Sequence, residues 1–64
     1  MNDINKILDV IYAVKLGLSV IYKDYYGTWW KVGNKHTFDF HYEYVIVFDG
    51  DVENRLEYLN KGRI

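Results

Sequence analysis

The sequence predicts an α+β domain of order α-β-β-β-α, a three-stranded antiparallel sheet with two helices packed on one face. Three observations predict it. Apolar side chains recur at helical spacing over residues 4–14, alternate with period two over residues 38–48, and return to a helical stripe over residues 52–59. The 64 residues make one domain, 1–64, with no repeats, linkers or low-complexity segments.

The first helix is expected over residues 2–16. Asn2 or Asp3 can cap its start, and Gly17 sits where a left-handed stop would fall. Ile4, Ile7, Leu8, Ile11 and Val14 keep the three-four spacing. With Val10 and Tyr12 they spread over roughly 200° of the helix, about twice the stripe that one sheet contact needs. The surplus calls for a second partner.

Residues 18–26 are β-branched and aromatic and read as a strand. Residues 28–32 read as a second strand, turned through Tyr26-Gly27, and Gly33-Asn34-Lys35 is the next turn. Residues 36–48 read as a third strand with Phe38, Phe40, Tyr42, Tyr44, Ile46 and Phe48 on one face. The other face carries Thr37, Asp39, His41 and Glu43, then turns apolar at Val45 and Val47. A second helix follows over 51–61, capped by Asp51 and closed by Gly62, with Val52, Leu56 and Leu59 as its stripe. Asp51–Arg55 and Glu57–Lys61 stand at favourable i,i+4 spacing. The expected core is Ile4, Ile7, Leu8, Ile11, Phe38, Phe40, Tyr42, Tyr44, Ile46, Leu56 and Leu59.

In element order and length the chain resembles the double-stranded RNA-binding domain. That resemblance implies a basic clamp with lysines at the start of the second helix. Here the same place reads Asp51-Val52-Glu53-Asn54, whose carboxylates repel phosphate.

Composition narrows the function. A net charge of −1, spread along the chain, gives neither the basic face of a nucleic-acid binder nor the acidity of a DNA mimic. With no Cys, disulfides and thiolate metal sites are excluded, and two His are too few for an imidazole site. No apolar run approaches the roughly 20 residues that span a bilayer, and MNDINKILDV lacks signal-peptide features, so a cytoplasmic chain with no membrane contact is expected. Lys outnumbers Arg six to two, and Asn, Ile and Tyr are abundant, a usage suited to A/T-rich codons.

No residue set carries catalysis, so the chain is expected not to be an enzyme and to use no cofactor or metal. Asp39, His41 and Glu43 alternate on one strand face, but Asp39 and Glu43 stand about 13 Å apart along it, too far for a carboxylate pair. They read as a solvated strip with cross-strand lysines such as Lys23 or Lys31. Asp49-Gly50-Asp51 reads as a turn and helix cap, without the further acids of a calcium loop. Ser19, the single serine, has no nucleophile motif around it.

The feature that points to function is aromatic. Tyr25, Tyr26, Trp29, Trp30 and Lys31 are expected to form a partner-binding patch, since adjacent tryptophans on a strand face opposite ways. The sequence thus favours a small protein-binding or inhibitor protein, of phage or mobile-element type, that blocks a host defence protein. A homodimer is expected, with Val10, Val14, Val45 and Val47 at its interface. One alternative is single-stranded nucleic-acid binding by Trp29, Tyr25 and Tyr42 with Lys23, Lys31 and Lys35. Another is a regulatory subunit of a larger complex.

Overall fold

The computed structural model describes residues 4–61 and has the expected order: α1 (Ile4–Lys15), β1 (Ser19–Lys23), β2 (Trp29–Lys31), β3 (Glu43–Val47) and α2 (Val52–Asn60). The expected caps Asn2, Asp3 and Gly62 lie outside the described residues. α1 ends at Gly17 by a double hydrogen bond. The Gly17 N–H donates to the Val14 carbonyl and the Leu18 N–H to the Ala13 carbonyl, both at 3.0 Å. Gly17 has a φ of +86°, which a residue with a Cβ adopts only under strain.

Asp24 ends β1. Its carboxylate accepts the N–H groups of Tyr26 and Thr28 at 2.9 Å each and the Trp30 indole N–H at 2.8 Å. The turn falls at Tyr26-Gly27 as expected, but the strand stops at Lys23 because the Asp24 side chain takes over the backbone donors.

The sheet has the order β2-β1-β3, with β1 in the middle and antiparallel to both neighbours. Neighbouring residues of β1 face opposite ways. Val20 joins Ile7, Val10, Ala13 and Tyr44 beneath α1. Ile21 joins Val47 and Val52 beneath α2. The helices therefore cover opposite faces, which corrects the expected packing of both on one face. The reason is that Val20-Ile21 and Ile46-Val47 are adjacent apolar pairs, so the sheet has two apolar faces and each needs a cover.

The core shifts accordingly. Val10, Val20, Ile21 and Val47 are at most 2% exposed. Of the expected core, Ile7 and Tyr44 are buried, and Ile11, Phe38, Tyr42, Ile46, Leu56 and Leu59 pack half-buried around them. Ile4, Leu8 and Phe40 are exposed instead. Val10 and Val47, expected at a dimer interface, lie inside the chain's own core, and Val45 packs half-buried against the α2 cluster. Val14 reaches the surface at 36% exposure.

β3 begins at Glu43 rather than at residue 36. Asp39 holds the preceding loop as a turn: its Oδ1 accepts the His41 N–H at 2.7 Å, and the Tyr42 N–H donates to its carbonyl at 3.1 Å. α2 starts after Asp51, whose side chain makes no cap bond to the helix backbone. Arg55 pairs with Asp49 at 3.3 Å rather than with Asp51. Among the described residues no helix is long and apolar enough to cross a membrane.

The two-faced core has a direct test. Ile21→Ala should lose about 2–5 kcal/mol in a urea titration. Domains of this size rarely hold more than about 3–5 kcal/mol, so the variant should be largely unfolded at room temperature. Leu8→Ala, on the exposed side of α1, should change stability by less than about 0.5 kcal/mol.

Candidate functional site

The loop between β2 and β3 returns across the α1 side of the sheet and builds an aromatic cluster there. Tyr22 from β1 stacks on Tyr42 with ring centroids 5.1 Å apart and meets His36 at a tilt with centroids 4.4 Å apart. Phe38 meets His36 edge-on at 4.9 Å, and Tyr44 from β3 lies 5.7 Å from both. Such tilted and edge-on contacts suit the ring quadrupoles and add to the burial of the rings.

A hydrogen-bond chain runs through the cluster. The Asp39 N–H donates to the Tyr44 hydroxyl oxygen at 3.0 Å, and that hydroxyl lies 2.9 Å from His36 Nε2. The Tyr44 hydroxyl can donate to His36 Nε2 or accept from it, according to which ring nitrogen carries the proton. Burial lowers the pKa of His36, so the ring is neutral at pH 7. Burial likewise raises the Tyr44 and Tyr22 hydroxyls.

Tyr25 stands at the rim, its hydroxyl donating to Asp39 Oδ2 at 2.6 Å. That bond pushes Tyr25 up to about 12 and, with the His41 N–H, holds Asp39 below its ordinary value. His41 Nδ1 lies 3.1 Å from the same carboxylate. Asp39 thus spends its acceptors on a turn, a neighbouring imidazole and a phenol. Among the described residues no group of three or more His, Cys, Asp or Glu is placed to hold a metal ion. Glu43, the third member of the alternating strip, pairs with Lys23 at 3.2 Å, directly across the ladder.

The tryptophans face opposite ways, as their adjacency requires. Trp29 turns to the α2 side and is half-buried there, with the Lys23 ammonium 5.8 Å from its ring. Trp30 lies opposite Tyr22 and is exposed, as are Tyr25, Tyr26 and Lys31. The structure therefore divides the expected patch: Trp29 belongs to the core under α2, and the other four reach the surface.

A second surface was not separated out by the sequence. Ile4, Leu8, Tyr12 and Leu16 are 55–64% exposed and follow one another at intervals of four. This ridge runs along α1 diametrically opposite Val10, the centre of its buried side. Asp9 and Lys15 rim a shallow groove between Leu8, Ile11 and Tyr12. The sequence shows α1 as apolar over too wide an arc, and Ala13 is the residue that orients it. Its small side chain is buried beside Val10 in the cluster with Val20 and Tyr44, where it lets the helix approach the sheet closely.

No family model matches the chain, and no curated protein and no solved structure does so either.

The burial of His36 sets a pH dependence. The native pKa of His36 is lowered, so the unfolded chain takes up that proton first. The contribution of neutral His36 is complete above the ordinary value of about 6.5 and is lost as the pH falls below it. Thermal melts should show a Tm that falls between about pH 7.5 and 5.5, and His36→Gln should flatten that fall. Asp39 and Asp49 act only near or below 3.8 and leave this window unaffected.

Proposed function

We propose that this chain is a non-catalytic protein-binding module that acts by occupying the surface of another protein. The exposed ridge Ile4, Leu8, Tyr12 and Leu16 carries the reading. These four side chains lie outside the buried core, and contiguous apolar surface of this kind marks protein-binding sites. Covering it is favourable by about 25 cal/mol per Å² of apolar area. Trp30, Tyr25 and Tyr26 add exposed aromatic area with few rotors to freeze.

One feature supports binding over turnover. The phenols of Tyr22, Tyr25 and Tyr44 are all shifted upward, away from neutrality, and His36 is shifted downward. These shifts favour neutral groups that hold a structure, where acid–base catalysis wants a pKa near the working pH. The nucleic-acid alternative loses its geometry, because Trp29 lies on the α2 side of the sheet and Tyr42 on the α1 side. The biological setting that belongs with this proposal, a mobile-element protein occluding a host defence factor, rests on the A/T-biased residue usage. A regulatory subunit would use the same ridge and differ only in the partner.

Affinity capture with the intact chain and with a Leu8→Glu/Tyr12→Glu variant, from cells expressing each, tests the proposal. A partner held by the first should be lost at least about tenfold by the second, as expected for central apolar anchors. Both side chains are exposed, so the melting temperature should not move. Equal capture by the two chains would overturn the reading.

A further inference from the structure

The two edges of the sheet are treated differently. On β2, the residues whose backbone faces β1 are fixed by two bonds: the Val32 N–H donates to the Val20 carbonyl at 2.8 Å and the Asp24 N–H to the Thr28 carbonyl at 2.9 Å. Trp29 and Lys31 lie between these positions, so their backbone groups point outward. The side chain of Asn60, at the end of α2, closes that edge at Trp29 as a neighbouring strand would. Its Oδ1 accepts the Trp29 N–H at 2.9 Å and its Nδ2 donates to the Trp29 carbonyl at 3.0 Å.

The same alternation fixes β3. The even-numbered residues of β1 bond to β2, so Ser19, Ile21 and Lys23 bond to Val47, Val45 and Glu43. The N–H and C=O groups of Tyr44 and Ile46 therefore point away from the sheet, and among the described residues no bond reaches them. No Pro or Lys guards this edge, and its one charge, Glu43, is held by Lys23.

We propose that β3 is a self-pairing edge, on which the β3 of a second copy of this chain lies antiparallel about a twofold axis through Val45. This deepens the protein-binding reading by naming the second copy as one of the proteins bound. In this register Tyr44 of each copy stands opposite Ile46 of the other, and both pairs exchange N–H···O=C bonds. Side chains keep their faces: Tyr44 and Ile46 remain on the α1 side, and Val45 meets its own copy on the α2 side. Phe48, which is 76% exposed, comes opposite Tyr42 of the second copy.

A second copy fits better than a foreign peptide because of α1. That helix packs over both β1 and β3. With strands about 4.8 Å apart, two α1 helices related by this axis lie about 10 Å apart, the distance at which helices pack. A five-residue edge alone buries little. An edge together with a helix flank approaches the roughly 800 Å² per partner of a stable interface. The outer ridges of the two helices stay free and lie side by side.

Sedimentation at micromolar concentration should give twice the 7.7 kDa chain mass. Val45→Cys supplies the one thiol of an otherwise cysteine-free chain, at a position that meets its own copy with Cα atoms about 4.5 Å apart, within disulfide reach. Mild oxidation should crosslink it into dimers. Glu43→Cys, displaced along the strand from its own copy, should crosslink much more slowly. Phe48→Glu should weaken the dimer about tenfold, and a synthetic chain N-methylated at Ile46 should weaken it further while keeping every side chain. A monomer at all concentrations overturns the proposal, as does a dimer that Val45→Cys does not trap. These variants leave Leu8 and Tyr12 untouched, so partner capture by the ridge is scored separately and can fail or succeed independently.

Discussion

β1 is apolar on both faces, and the rest of the structure follows from that constraint. Val20 and Ile21 are adjacent and essentially inaccessible to water, at 1% and 0% exposure. A strand with two such residues has to be central and has to be covered twice. That places β2 and β3 on its two sides and sends the helices to opposite faces. Three layers from so short a chain leave each layer thin. α1 meets β1 and β3, α2 meets β2 and β1, and neither helix is covered on its outer side.

With no Pro and no Cys, side chains do the terminating. Asp24 closes β1 by taking the donors of the turn, Asp39 turns the loop before β3, and Asn60 closes β2. Each replaces a backbone partner with a carboxylate or amide at hydrogen-bonding distance, which satisfies groups that water or another strand would otherwise hold. The Tyr44 hydroxyl does the same for the Asp39 N–H and couples that turn to His36. The aromatic cluster is therefore bonded at its rim as well as packed at its centre.

The order of elements, the hairpin turn and the stop at Gly17 were legible because each rests on local chemistry. The distribution of the helices over two faces was present in Val45 and Val47, but the same signal fits an intermolecular contact as well as a second helix. Residues 36–42 alternate like a strand, yet Asp39 offers its own backbone a better set of bonds than an edge ladder would. The paired orientation of α1 was hidden because its apolar residues span too wide an arc to define one buried line. Trp29 and Trp30 were expected on opposite faces, but which of them α2 would cover depends on an element far along the chain. Asn60, the residue that seals an edge, carries no sequence signal, since its partner lies 31 positions away.

The residues that folding leaves unexplained are the informative ones. Ile4, Leu8, Tyr12 and Leu16 could be polar without loss to the core, because the core line of α1 is Ile7, Val10 and Ala13. A surface helix with a polar outer face would satisfy every packing requirement of this fold. The outer face is instead apolar over about three turns, on a chain whose stability margin is thin. The open edge of β3 poses the same question in backbone terms, since the opposite edge is closed at Trp29 by the Asn60 side chain. An outer helix ridge and an unsealed strand on one side of the domain, beside a sealed edge and a shorter helix on the other, make the molecule asymmetric in what it offers to other chains.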